Sequence, residues 1–264
     1  TLAARRPAAR EALEKTMGEV AASFAAAQVP AAQTAAWAQA QQTWKALEQA
    51  VAARSLQAGQ STAQHTQLIA SIMLINEGLL HAYGLATDPD ADTHALIQAS
   101  LVHAPMLGEK LGVLRAQGSG FLGRGELPPQ DKGQLLMLRQ RVTELQVETM
   151  RSFDRALELN PQFRQSLGGK TQELQSMITQ SLQLLEGEVI NATEFKLPAK
   201  DYFDHFTRTI EALNALNTQA AGNLTQALKG RVTDLQQSLL WVAVALVATL
   251  SLTTGLALVF VRSM

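Results

Sequence analysis

The sequence predicts an all-α fold: an elongated up-down helical bundle of about six helices, compatible with two stacked four-helix modules, that continues into a transmembrane helix. Three observations carry this. Apolar residues recur at three- and four-residue spacing along almost the whole chain, and no convincing alternating run marks a strand. Ala, Leu and Gln are abundant while aromatics make up only 5% of residues, a balance that favours helix over sheet. The last stretch, Leu239 to Val261, is uncharged and mostly apolar, and it closes on Arg262.

Each element follows from local chemistry. A first helix spans about Ala3 to Gln28 and stops at Val29-Pro30, where proline restricts the preceding residue. A second covers roughly Ala31 to Leu56, with Trp37, Trp44, Leu47 and Val51 on one face. Gly59 to Thr62 supplies a break and a cap before a third, which carries Leu68, Ile72, Ile75 and Leu79. The turn Asp88-Pro89-Asp90-Ala91-Asp92-Thr93 opens a fourth, which fades into the glycines between Gly118 and Gly125. Pro128-Pro129 starts a fifth, since proline is tolerated in a first turn, with a stripe of Leu135, Leu138, Val142 and Leu145. An even number of passes suits a bundle anchored at both ends, so the fifth helix is expected to run on, kinked at Pro161, past Gly168-Gly169 to Ile190. The sixth begins near Lys200, after Leu197-Pro198, and runs without a break into the apolar stretch.

That stretch is long enough to cross the hydrocarbon core of a bilayer, with Trp241 at an interfacial position. By the positive-inside tendency Arg262 is expected to place residues 262–264 in the cytoplasm and residues 1–238 in the opposite compartment, with 239–261 in the membrane. The chain begins at Thr1 with its amphipathic pattern already under way. It is therefore expected to be a fragment that lacks a first membrane helix and a cytoplasmic signalling module. A net charge of −1 gives no reason to expect nucleic acid as a partner. Cysteine is absent, which excludes disulfides, thiolate metal sites and a Cys nucleophile.

Three stretches resemble a helical periplasmic sensing domain of proteobacterial methyl-accepting chemotaxis receptors, a domain type also found in sensor kinases and diguanylate cyclases. They are Leu85 to Ile97 with the leucine-rich run to Arg115, Ala156-Leu157-Glu158-Leu159-Asn160-Pro161, and Leu197 to Phe203 continuing to Val232. The departure lies at Thr93-His94-Ala95, where the family pattern has Ser-Tyr-Tyr. Phe260 to Met264 is similar to the junction with a HAMP relay. The resemblance implies a helical bundle, a homodimer, a place in the bacterial inner membrane with residues 1–238 periplasmic, and control of a cytoplasmic output.

For ligand chemistry, Arg115 continues the heptad line Ile97, Leu101, Ala104, Gly108, Leu111. A guanidinium on an apolar stripe either offers its fork to a carboxylate ligand or complements the helix dipole and reaches for water. Arg54 ends the corresponding line Trp37, Ala40, Trp44, Leu47, Val51, so both arginines fall near one end of an up-down bundle. Asn76 and His103 are weaker polar candidates on neighbouring helices. Asp88, Asp90 and Asp92 have the spacing of a calcium loop, but Thr93 and Ala99 stand where glycine and a bidentate glutamate are needed, so a turn and helix cap explain them better. His65, His81, His94, His103 and His205 show no pair at metal-ligand spacing. The glycines from Gly118 follow a helix rather than a strand and make no dinucleotide fingerprint, and no nucleophile elbow is present. No catalytic residue, cofactor or metal is expected. The function expected is ligand sensing and transmembrane signalling by a chemotaxis receptor for a small anion such as an organic acid. The alternatives are the sensor of a histidine kinase or diguanylate cyclase, or a structural bundle that senses through a protein partner.

Overall fold

The computed structural model describes the backbone of residues 2–264 and the side chains from Arg6 onward. No strand occurs among the described residues. The chain divides into two compact units, residues 1–220 and 221–264. In order, the elements are α1 (Leu2–Ala26), α2 (Ala31–Ala52), α3 (Ala58–Ala82), a 3₁₀ turn (Leu85–Thr87), α4 (Ala91–Ile97), a π-helical segment (Gln98–His103), α5 (Ala104–Arg124), α6 (Pro129–Leu159), α7 (Pro161–Leu185), a second π-helical segment (Glu186–Ile190) and α8 (Ala199–Ser263). Because α4 and α5 are joined through the first π segment, the described residues form seven rods rather than about six.

The additional rod comes from Asn160-Pro161, where the sequence suggested a kink in one long helix. Asn160 leaves helical geometry at φ −129° and ψ 111°, and its side-chain oxygen accepts from the backbone N–H groups of Gln162 at 2.9 Å and Phe163 at 3.3 Å. Its amide nitrogen donates to Asp92 Oδ2 at 2.8 Å, tying the turn to α4. Pro161 is thus the first residue of a new helix, where its missing N–H costs nothing. An Asn cap of this kind contributes about 1 kcal/mol. α6 and α7 run antiparallel, as the Arg139–Glu186 ion pair at 2.6 Å shows, and Gly168-Gly169 lie inside α7. The even-pass argument fails with the kink.

The join between α4 and α5 has a clear cause. Pro105 has no N–H to offer the carbonyl four residues earlier, and its ring would crowd that carbonyl. The backbone answers with a π turn, and the Leu101 carbonyl accepts instead from Asn76 Nδ2 of α3 at 2.6 Å.

Within residues 1–220 the core has two parts. Met17, Trp37, Ala40, Leu47, Leu68 and Ile75 bind α1, α2 and α3 together, with Phe24 and Trp37 rings 5.8 Å apart. The larger part lies among the α4–α5 rod, α6, α7 and the start of α8. Leu107, Leu111, Leu135, Leu145, Phe153, Leu167, Leu174 and Phe206 are fully buried there. Each contributes roughly 1.5–3 kcal/mol on burial. α5 meets α8 antiparallel: Gly108 faces Leu213, and Gly118 lies under the Tyr202 ring so closely that a Cβ there would overlap the ring. The Tyr202 hydroxyl donates to the Leu114 carbonyl at 3.1 Å.

Candidate functional site

The contact between α5 and α8 leaves an open groove against α3. α3 contributes Ile69, Ile72, Met73 and Asn76. The α4–α5 rod contributes Ser100, Leu101, Ala104, Pro105, Gly108, Glu109, Gly112 and Arg115, and α8 contributes Ile210, Leu213, Asn214 and Asn217. Its volume is about 600 Å³. Most of the lining is apolar, and Arg115 is its one cation.

Arg115 is held from the α8 side. Its guanidinium carbon stands 4.5 Å from the centre of the Phe203 ring, a cation–π contact, and Nη1 donates to Thr207 Oγ1 at 2.9 Å. The buried Nε–H has no hydrogen-bond partner, and neither does Nη2 beside it, among the described residues. Nor does any described carboxylate lie within ion-pair distance of this guanidinium. Burial lowers the pKa of Arg115 from its ordinary value and the charge of Glu211 opposes that shift. An arginine starts so far above neutrality that it stays cationic. The outcome is a fixed planar cation whose Nε–H is unengaged but covered by packing, so side-on pairing with a small planar anion requires that edge to be uncovered locally.

The other polar candidates fall differently. Asn76 lines the groove, but its amide nitrogen is engaged by Leu101. His103 Nδ1 lies 3.2 Å from Ser152 Oγ on α6, and it is not part of the groove lining. Arg54 is exposed in the turn after α2 with φ +54°, outside the lining residues. The aspartates of the α3–α4 turn serve the fold: Asp88 Oδ1 accepts from the Asp90 N–H at 3.1 Å and the Thr93 hydroxyl at 2.6 Å.

Sequence reasoning missed Phe203 and Thr207, the side chains that fix Arg115. A signal was present. Phe203, Thr207, Ile210, Asn214 and Asn217 recur at alternating four- and three-residue steps, so they share the face of α8 turned to the groove.

No curated protein and no solved structure is significantly similar to the chain. A family model described as "nitrate and nitrite sensing" (NIT) matches residues 1–225, most of the chain and all of the groove. The chain therefore belongs to the NIT family of nitrate and nitrite sensing domains.

Proposed function

We propose that this chain is the sensing and membrane-anchoring region of a bacterial chemotaxis receptor, and that nitrate or nitrite binds at Arg115. The observation that carries the site is the buried, unpartnered Nε–H of a guanidinium already positioned by Phe203 and Thr207. Nitrate is planar, singly charged and weakly hydrated, and it matches a guanidinium edge in shape and charge. An organic acid shares the charge and the fork geometry, but the family description moves the ligand from carboxylate to nitrate or nitrite. The receptor itself is read as non-enzymatic and homodimeric, with a HAMP relay after the membrane helix. A kinase or cyclase output is the alternative, and the identity of the output domain discriminates them.

The signalling step is a population shift. Both residues that hold Arg115 belong to α8, so an anion that redistributes the hydrogen bonds of the guanidinium changes the preferred packing of α5 against α8. Helix displacements of this kind are on the order of 1–2 Å. In this reading the helix that holds the sensor cation also carries the displacement toward the membrane.

Calorimetric titration of the chain in lipid nanodiscs with sodium nitrate tests the site. Wild type is expected to bind, Arg115→Ala to bind at least about 100-fold more weakly through loss of two charge-assisted hydrogen bonds, and Arg115→Lys to fall between them. Equal nitrate affinity in wild type and Arg115→Ala would remove Arg115 from the site.

A further inference from the structure

Nitrate at Arg115 uses one end of the groove and leaves the rest without an occupant. Along the α4–α5 rod the lining runs from Arg115 to Ser100, about 22 Å at 1.5 Å per residue. Beyond the guanidinium the walls are mostly apolar, with Ile69 and Met73 of α3 and Ile210 and Leu213 of α8, while Asn76, Ser100, Glu109, Asn214 and Asn217 share the lining. Gly112 lines the same space, and a Cβ built on it meets no atom. A cationic end followed by a mostly apolar trough is the complement of an amphipathic monoanion.

We infer that the groove accepts medium-chain monocarboxylates, with the carboxylate at Arg115 and the alkyl tail between α3 and α8. This rests on Arg115 being the anion site of the reading above, and it adds a second ligand class that competes with nitrate there. The carboxylate takes the same side-on pairing as nitrate, because both present two coplanar oxygens to Nε–H and Nη2–H. The tail then gains what nitrate cannot, the removal of apolar surface from water along the trough. Glu109 also lines the groove and accepts from the Thr66 hydroxyl at 2.7 Å, which commits one of its oxygens to α3. A ligand carrying an ammonium group on its tail would address that carboxylate, and this provides a sharp alternative.

The test is calorimetry on the whole chain in nanodiscs, with empty nanodiscs as blank. The probes are nitrate, acetate, butanoate, hexanoate and octanoate, the ω-amino derivative of hexanoate, and octanol. Affinity is expected to rise by up to about fifteenfold for each pair of methylenes buried. Each acid should displace nitrate, Arg115→Ala should abolish binding of both classes, and Ile69→Gln should flatten the chain-length series. Nitrate binding with a flat series, or the ω-amino acid binding ahead of hexanoate, overturns the tail assignment and leaves the nitrate reading intact. A steep series that needs Arg115, with no nitrate binding, sustains the assignment and overturns the nitrate reading. A steep series that persists in Arg115→Ala, or that octanol reproduces, overturns the assignment as lipid-like partitioning. Absence of binding by every probe overturns both.

Discussion

Arg115 shows what one residue owes to its neighbours. Its position on an apolar heptad line was legible in the sequence, because a charge among Leu and Ala stands out at that spacing. What it touches was not legible, since Phe203 and Thr207 lie far along the chain and only the antiparallel packing of α5 on α8 brings them in. Two histidines carry a separate consequence. Burial lowers the pKa of His103, with Glu148 opposing, and burial lowers that of His205, where the charge of Arg208 adds to the effect. A histidine whose folded pKa lies below the unfolded value of about 6.5 binds more protons when unfolded, so stability rises with pH through that window. Its contribution is full above about pH 6.5 and is lost as pH falls through the lower folded values. The thermal midpoint is therefore expected to drop between about pH 7 and pH 5, and less steeply in His103→Gln, His205→Gln and the double variant. An unaltered profile in the double variant would assign the acid sensitivity to other groups.

Among the helices, the breaks that rest on backbone chemistry were readable. Val29-Pro30, the α3–α4 turn and Pro128-Pro129 all fall within a few residues of where α2, α4 and α6 begin. The reversal at Asn160-Pro161 departs from the expected kink because the local helix-start signal outweighs the number of passes. Asn followed by Pro is a helix start, and the structure uses it as one. The π segment at Gln98–His103 was invisible for a different reason: its cost is offset by Asn76, a residue of another helix. That pairing makes a prediction. Asn76→Ala leaves the Leu101 carbonyl without its donor and is expected to destabilise the fold by about 1–3 kcal/mol. In a Pro105→Ala background, where the backbone regains an N–H for that carbonyl, the same substitution should cost clearly less. Denaturant unfolding of the four proteins gives the coupling directly, and strict additivity would contradict the proline account.

At the largest scale, α8 is the one element long and apolar enough to cross a membrane among the described residues. Residues 239–261 are exposed throughout, with Trp241 at 71% and Val261 at 70% of full exposure. A run of large exposed apolar side chains of this length has a ready solvent in lipid. The class of fold and this apolar segment were read from the sequence because both are written in local periodicity, and the groove was not, because it exists only where three separate rods meet. Proteinase K digestion of the chain in sealed lipid vesicles is expected to leave a protected fragment that contains residues 239–261. Cleavage inside that segment would contradict a membrane span. The reading of the chain as a nitrate receptor depends on the unengaged Nε–H of one guanidinium, and arginine side-chain NMR observes it directly. With the chain in nanodiscs, the Nε–H resonance missing from the Arg115→Lys spectrum should shift and saturate on addition of nitrate. If nitrate binds by calorimetry and that resonance does not move, the anion site lies elsewhere.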